Sequence, residues 1–217
     1  MRKVREGVAK WMSVLVAVNM AAWMVGGNAA MAKCEDPYKC SHGFHAFKDI
    51  YLKASGGGQH GTRYVYVSND FKTSGYRGLI INGCLAWNMK GNNKIRLATT
   101  SSKSKSQIRI EPEVLGYGVC GMTYYKKNGD SNYTTDVLEG INGNYKYAKI
   151  EIYETTCQRE NVFQQTGTHE CGHALGLSHV TCRKSIMCYS VYDSPNRISS
   201  PSNADYATLR HVYNAYK

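Results

Sequence analysis

The sequence has little of several features that mark whole classes of protein. Only 4 of its 217 residues are proline, so neither disorder nor a collagen-like chain is indicated. It contains no CxxC pair, which leaves a zinc ribbon or a thioredoxin-like site without support. We find no repeat of solenoid or propeller length and no nucleic-acid-binding motif. Acidic residues are few, 16 against 27 lysines and arginines, but the basic residues are scattered, as is typical of a solvated surface.

The one long apolar run lies at the N-terminus. Residues 11–25 are apolar apart from two positions, follow a basic start, and precede Ala30-Met31-Ala32, which fits a signal cleavage site. The run is short for a bilayer span of ~20 residues. We therefore predict a secretory signal peptide over residues 1–32, rather than an uncleaved anchor. Residues 33–217 are then one secreted domain, without stable membrane insertion after cleavage.

The 8 cysteines all follow the predicted signal. An even number of cysteines in an exported chain favours disulfides, although buried thiols are the alternative and the pairing cannot be read from sequence. Of the possible disulfides, we most expect one between Cys182 and Cys188, because these two residues are close together in the chain.

Periodicity predicts a mixture of strands and helices. Alternating apolar residues predict strands over 63–68, 95–98, 107–111, 119–125 and 149–153. Helical spacing predicts helices over 77–90, over about 160–175, and over 203–216, the last with a cap formed by Ser202 and Asp205. This order favours an α+β fold, or an α/β fold, with one sheet.

Residues 169–179 carry the strongest signal, since they match H-E-x-x-H-x-x-G-x-x-H. His169 and His173 are four residues apart, so both imidazoles lie on one helix face and can bind one metal ion. Gly176 lets the chain leave the helix, and His179 then supplies a third nitrogen. Three ligands leave a fourth position for water, as in catalytic zinc sites. Glu170 is not placed as a ligand but is placed to act as general base.

A second element agrees with this motif. Met187 lies eight residues beyond His179, within Ser185-Ile186-Met187-Cys188-Tyr189, and this segment is similar to the Met-turn of metzincin proteases. His173 to His179 resembles the end of the active-site helix in the matrixin, or matrix metalloprotease-like, branch. Weaker similarity extends over roughly residues 76–217.

The resemblance implies a metzincin-like catalytic domain with a mixed twisted sheet, an active-site helix and a C-terminal helix. It implies a secreted, monomeric, zinc-dependent endopeptidase that cleaves extracellular proteins or peptides through a zinc-bound water. The metal would be one catalytic Zn²⁺ on His169, His173 and His179, with Met187 as the floor below it. Residues 119–124 would form the edge strand that pairs with substrate, and Met187 to Tyr192 would select a substrate side chain.

The sequence also departs from the matrixin pattern. Lys39-Cys40-Ser41 does not fit the inhibitory cysteine motif, so we expect no such switch. No set of histidines and aspartates matches the loop that binds a structural zinc ion in that family, so we predict no second zinc site. The sequence does not decide whether Ca²⁺ binds. Tyr189 lies two residues after Met187, as in astacins and serralysins. It is a candidate catalytic residue that stabilises the transition state, or else it only lines the side-chain pocket.

Two other functions compete with the protease. One is a secreted binding module, or toxin-like protein, that keeps a structural zinc site. The other is a zinc hydrolase of non-peptide substrates. Glu170 discriminates against the first, because a structural site does not need a general base.

Overall fold

The computed structural model describes residues 46, 50–88, 94–114, 118–134, 143–157, 159–188 and 198–214. All of them belong to one compact unit that spans Lys33–Lys217. The predicted signal peptide and Tyr189 lie outside the described residues.

A five-stranded sheet forms the centre of this unit. The strands are β1 (Gly61–Val67), β2 (Ile95–Thr99), β3 (Ile108–Glu113), β4 (Gly121–Lys126) and β5 (Tyr147–Tyr153). Their order is β2-β1-β3-β5-β4, with parallel pairing throughout except for β4, which runs antiparallel to β5 at one edge. All five predicted strands are present within a few residues of their expected bounds, and β4 is an edge strand as expected.

Three α-helices, α1 (Ser74–Leu85), α2 (Glu160–Ala174) and α3 (Asn203–Val212), and one short 3-10 helix (Lys103–Lys105) complete the described part. The predicted α+β class, with a mixed sheet, an active-site helix and a C-terminal helix, is confirmed. Buried side chains of the central strands share one core with the helices. From the strands this core takes Val65, Val67, Ile108, Ile110, Ile150 and Ile152, and from the helices it takes Phe163 and Leu209 among others.

Three predicted helix boundaries were wrong, two in α1 and one in α3. Helix α1 starts earlier than residue 77 because the Thr73 hydroxyl caps it by accepting the Tyr76 N–H at 3.2 Å. It ends before 90 because the Asn88 side chain bonds both backbone groups of Leu97 in β2. Helix α3 stops at Val212 rather than 216, and Asn214 follows with φ 45°. The predicted capping box of Ser202 and Asp205 is present.

Helices α1 and α2 approach so closely that their backbones touch at two glycines. A Cβ on Gly83 would lie 2.6 Å from the Gln164 carbonyl oxygen, and one on Gly167 would lie 3.1 Å from the Ile80 Cα. Side chains larger than hydrogen at these positions would force the helices apart. The pair of glycines therefore fixes how deeply α2 sits against α1.

The predicted pairing of Cys182 with Cys188 is wrong. Cys182 takes part in a disulfide, but Cys188 carries a buried thiol, as do Cys84, Cys120, Cys157 and Cys171. Cys188 N–H instead closes a short turn onto the Ser185 carbonyl at 3.2 Å.

In the part of the chain that the structure describes, no helix combines the length and the apolar character needed to cross a membrane.

Candidate metal centre

The three histidines of the motif meet at one point. The Nε2 atoms of His169 and His173 are 3.1 Å apart, those of His169 and His179 are 3.1 Å apart, and those of His173 and His179 are 3.0 Å apart. His169 and His173 project from the same face of α2, and His179 returns to them from beyond the helix. The three Nε2 atoms are therefore close enough together to bind one metal ion.

Hydrogen bonds of the Nδ1 atoms fix the tautomers of His169 and His173. The Nδ1 of His169 lies 2.7 Å from the Ile186 carbonyl oxygen, and that of His173 lies 2.8 Å from the Leu177 carbonyl oxygen. A carbonyl only accepts, so in the neutral ring that a metal ligand requires, each Nδ1 carries the proton and each Nε2 keeps the lone pair. Burial, with a smaller contribution from His169, lowers the pKa of His179 to about 3, so its ring is neutral as a ligand requires.

Zinc fits this donor set. Ligand bonds of ~2.0–2.1 Å at tetrahedral angles place neighbouring nitrogens about 3.3 Å apart. The observed separations of 3.0–3.1 Å are within a few tenths of that value. Three neutral imidazoles are also the ligand set of known catalytic zinc sites, in which one position stays open.

Gly176 turns the chain between the second and third histidines. Its φ is +101°, as the sequence predicted, and its N–H bonds the His173 carbonyl at 2.9 Å while the Leu177 N–H bonds the Gly172 carbonyl at 3.0 Å. These two bonds form a Schellman motif, the helix ending that favours glycine. A Cβ here would lie only 2.4 Å from the Ile50 carbonyl oxygen. Both the conformation and the space therefore require glycine.

Glu170 lies against the edge strand β4. Its side chain is 6% exposed, and the Thr123 hydroxyl lies 2.7 Å from Oε2 and 3.1 Å from the Glu170 backbone carbonyl. A Cβ on Gly121 would lie 2.7 Å from the Glu170 Cγ and 3.0 Å from Oε1. Burial raises the pKa of Glu170, while the nearby His169 and the Thr123 hydrogen bond oppose that rise. A raised pKa suits a group that takes and returns a proton.

Met187 packs beneath the helix that carries the ligands. It is fully buried, and a Cβ on Gly172, next to His173, would lie 2.4 Å from the Met187 Sδ. Asp205 stabilises the turn of residues 185–188, which contains Met187. Its carboxylate accepts hydrogen bonds from the Ser185 hydroxyl at 2.5 Å and from the Ile186 N–H at 3.2 Å. The Ser185 Oγ in turn accepts the Met187 N–H at 2.9 Å. Helix α3 thus fixes the position of Met187 through one buried carboxylate.

Sequence reasoning missed two of these contacts. Thr123 was expected only as part of a substrate-pairing strand, and Asp205 only as a helix cap, where its Oδ2 does accept the Ser202 N–H at 2.7 Å. Both side chains are buried, with exposures of 6% and 0%. Their contacts join segments far apart in the chain, and no local pattern encodes such contacts.

A family model for matrixins matches residues 93–214, which is more than half of the chain. A search of the curated proteins gave no match. Among solved structures, the chain is similar to "Structure of Myroilysin", with 16% identity and a TM-score of 0.48, over 79% of this chain and 85% of that chain. It is also similar to "Crystal structure of myroilysin", with 19% identity and a TM-score of 0.43, over 71% and 84%.

Proposed function

The chain belongs to the matrixin family of zinc metalloproteases, and from that premise we propose that it is a secreted endopeptidase in which Glu170 is the general base. The observation that carries the proposal is the triangle of Nε2 atoms from His169, His173 and His179, with Glu170 next to His169 on the same helix. The pattern of residues 1–32 supports secretion.

His169, His173 and His179 would hold the zinc ion. When bound, zinc would polarise the scissile carbonyl and acidify a water molecule. Glu170 accepts a proton from water at its carboxylate and then delivers it to the leaving amine. Thr123 orients this carboxylate through the 2.7 Å contact to Oε2. The second proposed catalytic residue, Tyr189, would stabilise negative charge that develops on the substrate oxygen.

The substrate would bind along β4. The Tyr125 N–H bonds the Thr134 carbonyl at 2.8 Å, and β4 pairs with β5 along its other side. In a strand, backbone groups of alternate residues point the same way, so those of Gly121 and Thr123 also point away from β5. An extended peptide could add to β4 there. It would then pass directly beside the Glu170 carboxylate, which touches both residues.

The test compares gelatin and casein cleavage by the wild type, by Glu170→Ala and by Glu160→Ala, with zinc content measured for each. Glu160 is an exposed glutamate in the first turn of the same helix and makes a matched control. We expect all three proteins to bind one zinc ion and only Glu170→Ala to lose cleavage, by roughly 1,000-fold or more. If the zinc-loaded wild type cleaves neither substrate, or if Glu170→Ala cleaves as well as wild type, the proposed function is wrong.

A further inference from the structure

Four of the five buried thiols in the described residues lie in two close pairs. The Cys84 Sγ lies 3.7 Å from the carbonyl oxygen of Gly167, one turn before Cys171 on α2, and the Cys157 Sγ lies 3.4 Å from the Cys120 carbonyl oxygen. A disulfide needs two cysteines whose backbones lie close together in this way. We propose that the oxidised, mature protein carries disulfides Cys84–Cys171 and Cys120–Cys157, which tie the helix of the metal centre to its two neighbours. This inference rests on the secretion included in the proposed function, because disulfides persist in an oxidising compartment, but it does not depend on the endopeptidase activity.

The first pair joins α1 to α2. Helices commonly pack with axes 8–10 Å apart, whereas a disulfide needs Cα atoms within about 4.4–6.8 Å. The backbone contact at Gly83 and Gly167 brings these two helices closer than usual. Cys84 follows Gly83 directly, and its thiol lies 3.7 Å from the Gly167 carbonyl oxygen. Cys171 is one turn beyond Gly167 on the same helix face, so the glycines create the short separation that a cross-link requires.

The second pair joins the start of β4 to the segment that leads into α2. The Cys120 carbonyl accepts the Tyr153 N–H at 2.9 Å and contacts the Cys157 Sγ at 3.4 Å. The Cys157 N–H bonds the Tyr153 carbonyl at 3.0 Å, which folds the chain back towards Cys120. The Cys157 Sγ also lies 3.6 Å from the Thr166 hydroxyl of α2. This pair therefore anchors the entrance of α2 beside the strand that contacts Glu170.

Burial determines when these bonds form. Cys84, Cys157 and Cys171 are 0% exposed and Cys120 is 7% exposed, so an oxidant has no access to them in the folded protein. We expect oxidation during folding, by exchange with a small-molecule disulfide such as oxidised glutathione. Each exchange forms one protein S–S bond from two thiols and reduces the donor disulfide to two thiols. Once formed, the bonds should resist reductant until the domain unfolds.

Disulfide mapping tests the pairing directly. The full chain is refolded with reduced and oxidised glutathione, remaining thiols are alkylated under denaturing conditions, and the unreduced digest is analysed by mass spectrometry. We expect peptides that join Cys84 to Cys171 and Cys120 to Cys157. Alkylated thiols at these four positions, or bonds that join them to other cysteines, would overturn the inference.

Thermal unfolding tests the consequence. We expect Cys84→Ala and Cys171→Ala to lower the melting temperature of the oxidised protein by a similar amount, roughly 5–15 °C, and the double variant to lower it no further. After refolding under full reduction, the melting temperature of each variant should be only slightly below that of the wild type, because alanine leaves a small cavity. Cys188→Ala, a buried cysteine outside both pairs, is the matched control and should show the same small effect in both states. Equal losses in the oxidised and the reduced protein would show that Cys84 and Cys171 contribute packing alone.

Discussion

Substitution of Gly176 by alanine should weaken both folding and metal binding. Its φ of +101° costs a residue with a Cβ roughly 1–2 kcal/mol. The 2.4 Å approach to the Ile50 carbonyl oxygen forces a backbone shift, which costs about 1–3 kcal/mol more. The lower entropy of the unfolded alanine variant offsets ~0.4–1 kcal/mol of this. We therefore expect the free energy of unfolding to fall by about 3 kcal/mol, within a range of roughly 1–5 kcal/mol.

Gly129→Ala is the matched control for this substitution. Gly129 has a similar φ of +93°, but a Cβ there would have no described atom within 4 Å. Gly129→Ala should lower the free energy of unfolding by only about 1 kcal/mol, because only the conformational strain applies. Urea unfolding of the metal-free proteins measures both values.

Zinc titration calorimetry then separates the site from the fold. Gly176→Ala displaces the segment that carries His179, so its zinc affinity should fall roughly 10- to 100-fold, while Gly129→Ala should keep wild-type affinity. Equal losses of stability in the two variants, or an unchanged zinc affinity in Gly176→Ala, would show that Gly176 does not position His179.

Three contacts around the site and in the sheet can each be tested by substitution. Thr123→Val should lower kcat/KM roughly 10- to 100-fold at unchanged zinc content, because the Glu170 carboxylate loses its orientation, and Thr123→Ser should restore most of it. Asp205→Ala should lower the free energy of unfolding in urea by about 3 kcal/mol, since buried donors lose their acceptor, and a loss below ~1 kcal/mol would contradict this. Burial raises the pKa of Glu151, but the Lys149 ammonium and two tyrosine hydroxyls outweigh it and hold the pKa below 4.5. Its ionised form therefore stabilises the fold above pH 4.5, and this contribution is lost as the pH falls through the lowered pKa. The melting temperature of Glu151→Gln should therefore fall less than that of the wild type as the pH is lowered through this range. Identical melting temperatures at every pH would contradict the stabilising role of ionised Glu151.

The sequence predicted those parts of the fold and the site that local spacing encodes. The interval between His169 and His173 depends only on helical periodicity, and the φ of Gly176 depends only on how a helix ends. Strand positions were predictable because one face of each strand is buried and the other is not.

Other features depend on tertiary contacts and could not be read in this way. The start of α1 at Ser74 depends on a cap in a polar segment without apolar periodicity, and its end depends on Asn88 bonding to β2. The Asp205 contact to the Met187 turn crosses between distant segments, and so does the contact of Thr123 with Glu170. The cysteine pairing failed for the same reason, since Cys182 and Cys188 are close in sequence but are not partners.

We propose that one zinc ion on His169, His173 and His179 makes the chain an endopeptidase. The most direct measurement strips the protein of metal with a chelator, adds zinc back in known amounts, and follows digestion of a peptide library by mass spectrometry. We predict that cleavage between internal residues is absent without zinc and rises to a plateau at about one zinc per chain. If cleavage persists without zinc, or if one zinc binds per chain and every peptide stays intact, the zinc ion does not make the chain an endopeptidase.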